Sequence, residues 1–422
     1  MKSQFYRIRR LQAALGVAAL GLAFSGCTAV NLNSLSNPDD LLPFADDTPI
    51  ATPTSAERML VYESPGALAV FHGTTCAQSD LSGMEEGMRV QEQLDLPKGL
   101  NTATVLLNGY RVRYLDADHH VGGLGAAIGA IQTSGPLLTW EAGGFLTDND
   151  FNDGYEWCYT YTVVAWNTLQ INAVVDHGDT GHGFREMGWT SDSPIRPVPG
   201  FLNNPAFAGL AEVAILPRGF AAAWTPDHHV LQFAYRNDVG ASFVEGGKKY
   251  GNGVIPEPES RAGGGYVSWE TTGFLKDDDP EHRQFFAEFV TGLGGPDVGL
   301  IAPAFSIVPR EDSFPCGSLG SGPLTEEKVV HDVPYQLAIP VLAGWDLAYH
   351  CSDEHVKEVG AFIPKWEWQP GTSAAGGTLR YTVTTSLRDK DDLPGFHSRT
   401  QIKILGFRRV LNGAPTGKTG GG

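Results

Sequence analysis

From Gly109 onward the chain alternates: Tyr110, Val112 and Tyr114 are apolar and Arg111 and Arg113 between them are charged, the two-residue period of a strand with one buried face. The period returns in Phe220, Ala222 and Trp224, and again in Trp345, Leu347 and Tyr349. Each segment opens on a glycine and is followed by an Asp two residues before a His-Val pair. These are Asp118-His119-His120-Val121, Asp227-His228-His229-Val230 and Asp353-Glu354-His355-Val356. A second block trails each copy. Trp140 leads to Leu146, Asp148 and Asp150; Trp269 to Leu275, Asp277 and Asp279; Tyr381 to Leu387, Asp389 and Asp391, with the same aromatic-to-leucine interval each time. Further alternation follows, in Trp157, Tyr159, Tyr161 and Val163 and in Ile402 and Ile404 around Lys403. Two blocks kept in order three times mark an internal repeat.

The pattern predicts an all-β protein of three tandem, related antiparallel β-sandwich modules at 58–168, 169–292 and 293–411, rich in glycine and aromatic residues. Each second block reads as a hairpin with an acidic loop. An alternative packs the three copies into one continuous body of pseudo-threefold character. Helix is expected only as short turns near Glu281 to Glu288 or Ser82 to Gln93.

The first residues break this pattern. Lys2, Arg7, Arg9 and Arg10 precede an apolar run from Leu11 to Phe24 and then Ser25-Gly26-Cys27. A basic start, a short apolar stretch and small residues before a cysteine form a secretory signal. The segment resembles the signal sequence and lipobox of bacterial lipoproteins. The resemblance implies that residues 1–26 are removed, that Cys27 carries palmitate-type acyl chains and becomes the membrane anchor, and, from Thr28 in place of Asp, an outer-membrane destination. Residues 27–57, rich in Asn, Asp, Pro and Ser, read as the lipidated cysteine and a flexible linker, and Gly-rich 412–422 as a disordered tail.

Charge narrows the partners. With 48 acidic against 30 basic residues the net charge is −18, and loss of the signal makes it more negative still. Such a chain repels nucleic acid and attracts cations. Four cysteines remain after Cys27, an even number suited to an oxidising compartment. Pairing within copies joins Cys76 to Cys158 and Cys316 to Cys351.

Four groups carry candidate chemistry. His120, His229 and His355, each beside a carboxylate, suit zinc ligation, general-base work or ligand binding, while their repetition favours a role in the shared fold. The clusters Asp148, Asp150 and Asp153, Asp277, Asp278 and Asp279, and Asp389, Asp391 and Asp392 offer oxygens for calcium, against the plainer reading of solvated turns. Asp176-His177-Gly178-Asp179 with His182 is the densest set of zinc-type ligands, in what reads as a flexible glycine-rich loop. Trp366 and Trp368 share one strand face and form a candidate sugar-stacking platform. Neither a nucleophile elbow nor a His-Glu-x-x-His motif occurs. The functional expectation is a membrane-anchored binding or adhesion protein for a glycan or protein ligand. Its competitors are a metal-dependent envelope hydrolase and a structural subunit of an envelope assembly.

Overall fold

The computed structural model describes residues 50–79, 87–147, 153–179, 185–189, 198–210, 213–230, 232–237, 243–244, 266–276, 282–308, 323–349, 355–371, 376–390 and 395–408. Cys27, the linker up to residue 49 and the 412–422 tail lie outside these ranges.

Strands dominate. After β1 (Ser55–Ser64), the first copy holds β2 (Leu68–Gln78), β3 (Met88–Asp95), β4 (Thr102–Tyr114), β5 (Val121–Ser134), β6 (Leu137–Thr147) and β7 (Tyr155–Trp166). The second holds β8 (Val174–Asp179), β9 (Arg185–Trp189), β10 (Val198–Asn203), β11 (Val213–His228), β12 (Gln232–Asn237), β13 (Phe243–Val244), β14 (Tyr266–Lys276) and β15 (His282–Gly294). The third holds β16 (Val298–Val308), β17 (Leu324–Val333), β18 (Leu337–Tyr349), β19 (Glu358–Gln369), β20 (Gly377–Arg388) and β21 (Phe396–Phe407). The helical turns expected near 281–288 and 82–93 are corrected where described: 282–288 opens β15 and 88–93 lies in β3, and the described residues hold one 3-10 turn, Pro205–Phe207. Phe285, Phe286, Phe289 and Val290 are spaced like a helical face, but β11 on one edge and β8 and β9 on the other take up the backbone of β15 as strand.

Among the described residues the strands form three seven-stranded antiparallel sheets, and no copy owns one. The orders are β1-β2-β7-β4-β19-β20-β17, then β8-β15-β11-β5-β6-β3 with β9 also on β15, then β16-β21-β18-β12-β14-β10 with β13 also on β14. Each sheet seams four strands of one side to three of the other, drawn from two different copies, at β4–β19, β11–β5 and β18–β12. The second block is therefore corrected: β6 and β7, β14 and β15, and β20 and β21 lie in different sheets, so the acidic segments between them are crossings and not hairpin turns.

The repeated glycine explains the seams. A register shift precedes Gly109 in β4, Gly219 in β11 and Gly344 in β18. A Cβ on Gly109 would lie 2.2 Å from the Cα of Phe362 across the first seam, and one on Gly219 2.3 Å from the Cβ of Ala127 across the second. Only glycine lets the strands meet there. The next residue of each copy turns inward, and Tyr110, Phe220 and Trp345 pack together with ring centroids 4.6–4.9 Å apart. They lie in one hydrophobic core that draws on all three sheets. Cys76 of β2 and Cys158 of β7 are opposite in register and form a disulfide, as expected. Cys316 and Cys351 lie outside the described residues.

Candidate functional site: a pole of three histidines

Each copy crosses between sheets twice at the same end of the body. Gly123 in β5 faces Thr147 at the end of β6, Gln232 in β12 faces Lys276 at the end of β14, and Glu358 in β19 faces Arg388 at the end of β20. In every copy the first of these residues is the third after His120, His229 or His355. The three histidines and the strand ends that open the acidic crossings therefore share one pole.

The three histidines meet there. Ring centroids stand 4.7 Å apart for His120 and His229, 4.7 Å for His120 and His355, and 4.5 Å for His229 and His355. One ring nitrogen from each falls within 4.8 Å of the other two. The backbone is held from below: Tyr114 Oη donates to the carbonyl of His120 at 3.3 Å and Tyr349 Oη to that of His355 at 3.4 Å. His119 and Val356 exchange backbone hydrogen bonds, tying the first crossing to the third. The side chains of Trp224 and Asp227, their second-copy counterparts, lie outside the description.

One carboxylate borders the triad and two more flank the neighbouring His119. Asp118 Oδ2 lies 3.6 Å from His355 Nδ1, and the other oxygen 4.0 Å from Lys390. His119 has Asp116 on its Nε2 edge at 3.2 Å and Asp153 on its Nδ1 edge at 3.1 Å. Burial lowers the pKa of His355, and the neighbouring His229 and His120 lower it further. The ring therefore favours its neutral, ligating form.

The other predicted groups stand apart. The Asp176–His182 segment is corrected from flexible loop to strand as far as Asp179, because β8 pairs with Phe289 to Gly294 of β15. Neighbouring strand positions point Asp176 and His177 to opposite faces. His177 Nε2 instead meets Thr104 Oγ1 at 3.3 Å, and burial, with the charge of Arg218, lowers its pKa to about 4. The Asp179 side chain and His182 lie outside the described residues. The sugar platform is also corrected: Trp366 and Trp368 share a strand face, but the buried one, at 4 % and 8 % exposure. Trp368 Nε1 donates to the Gln336 carbonyl at 2.7 Å. Lys365, Glu367 and Gln369 take the outer face. Of the acidic clusters, Asp153 joins His119 and Asp389 is buried, while Asp148, Asp150, Asp277, Asp278, Asp279, Asp391 and Asp392 lie outside the described residues.

A buried polar network went unread in the sequence. Glu288 of β15 accepts from Tyr235 Oη, Asn237 Nδ2 and Trp269 Nε1, and burial pushes its pKa up to about 7. Lys403, fully buried in β21, donates to Asn237 and to the Ile215 carbonyl. Alternation around Lys403 marks a strand; the packing of a second sheet over that lysine is not visible in a local pattern.

What fold and pole define is a class: a three-sheet antiparallel body, shared between three copies of one unit and closed at one end by three imidazoles. Compared with known protein families, curated proteins and solved structures, the chain matches none.

Proposed function

We propose that this chain is an exported, lipid-anchored envelope protein that binds its ligand at the histidine pole rather than transforming it. The observation that carries the reading is the equivalent register of Gly123, Gln232 and Glu358, which puts His120, His229, His355 and the strand ends that lead into the acidic segments at one end. Asp116, Asp118 and Asp153 stand at that end and, in a chain of net charge −18, concentrate negative potential there. The ligand such a surface selects is a cation or a partner bridged by one, with calcium first among cations for the oxygen-rich crossings. The lipobox-like Ser25-Gly26-Cys27 supports the anchor. A glycan ligand has lost its aromatic support with the burial of Trp366 and Trp368.

The test is a calcium titration of the mature chain followed by calorimetry and thermal melting. Saturating calcium is expected to raise the melting temperature by several degrees, and Asp148→Asn, Asp277→Asn and Asp389→Asn together to abolish the shift. A flat titration overturns the cation-binding reading. Palmitate labelling lost in Cys27→Ser is the expected result for the anchor, and unchanged labelling contradicts it.

A further inference from the structure

We infer that His120, His229 and His355 form a three-imidazole site for a divalent transition metal ion, with a fourth coordination position open to solvent. The site deepens the pole reading and rests on it only for its place at the exposed end.

Geometry comes first. Four-coordinate zinc with bonds of about 2.0 Å to nitrogen needs its ligand atoms about 3.3 Å apart. The three nitrogens already lie within 4.8 Å of one another. Closing the remaining gap takes small ring rotations, which half-buried side chains make without displacing the core. The ligands come from three crossings between three pairs of sheets, so they approach from three sides and, among the described residues, leave one direction free. His355, with 41 % of its side chain exposed, borders that direction.

Chemistry selects the ion. Three neutral imidazoles suit zinc, copper, nickel or cobalt, whereas calcium and magnesium require oxygen. Asp118 Oδ2 lies 3.6 Å from His355 Nδ1, close enough for a small ring rotation to hydrogen-bond that edge when the other nitrogen ligates. The polarity of the triad also sets it apart from the packing beneath it. On the strands that lead into these crossings the inward level holds Tyr110, Phe220 and Trp345. A level needed only for packing would be apolar in the same way, yet the outermost is built of three metal-ligating side chains. Repetition favours a fold-only role if the copies stand apart. Once they converge on one point, repetition is what a threefold ligand set requires.

The experiment uses chelator-treated mature protein titrated with zinc by calorimetry, and with cobalt by visible absorption. One equivalent is expected, with the intense cobalt bands of a four-coordinate site. His229→Asn should lower zinc affinity more than about 100-fold with the apo-protein's circular dichroism unchanged. Asp118→Asn should lower it about 10-fold, and His119→Asn should leave it within a few-fold. Excess calcium should not displace the metal. Equal zinc affinity in the triple variant His120→Asn, His229→Asn, His355→Asn overturns the inference, as does absence of binding in the wild type. If one histidine variant unfolds, His120→Gln and His355→Gln give the same reading. Zinc binding beside a flat calcium titration would overturn the calcium reading and leave the triad standing; the converse would do the opposite.

Discussion

Gly109 holds φ +138° where β4 meets β19, and any side chain there would overlap the Phe362 backbone. Gly109→Ala is therefore expected to cost about 3 kcal/mol or more, measured by urea unfolding, through strain and separation of the seam. His72 is a second residue with a clear consequence. It is buried, with Thr162 Oγ1 at 3.0 Å from Nδ1 and the Ile363 carbonyl at 2.8 Å from Nε2, and burial lowers its pKa to about 4. Between about pH 6.5 and 4 the unfolded chain binds more protons at this site than the folded one. Stability is thus intact above pH 6.5 and falls as the pH drops through that window, by about 3 kcal/mol for this residue. Urea midpoints at pH 7 and pH 4.5 check the sign, and His72→Asn should flatten the dependence. The sequence disclosed which residues alternate, as Tyr110, Val112 and Tyr114 bear out by burial. It did not disclose the burial of Lys403 or of Trp366, because alternation reports a face and not what covers it.

At the scale of elements, the repeat was legible and its connections were not. Strand type and order follow from local spacing, but β4 pairs with β19 some 250 residues away, and no local pattern names such a partner. For the same reason the acidic blocks were read as hairpins although each joins two sheets. The disulfide between β2 and β7 closes a long loop, with a sequence separation of 82. Replacing Cys76 and Cys158 by Ala should lower stability by about 3–4 kcal/mol without changing the circular dichroism spectrum, since the two strands also pair along their whole length.

At the scale of the molecule, shared sheets make the copies interdependent. A fragment of residues 58–168 would leave β4 without β19 and β5 without β11, exposing two long edges. Such a fragment is expected to be unfolded or aggregated by circular dichroism and light scattering, while the intact body melts in one cooperative transition. The histidines were visible in the sequence one by one. Their meeting was not, because it depends on every seam closing in register. X-ray absorption at the zinc edge of the metal-loaded protein tests that meeting most directly. Three imidazole nitrogens and one oxygen at about 2.0 Å, falling to two imidazoles in His229→Asn, is the predicted result; a shell with fewer than three imidazoles in the wild type would contradict it.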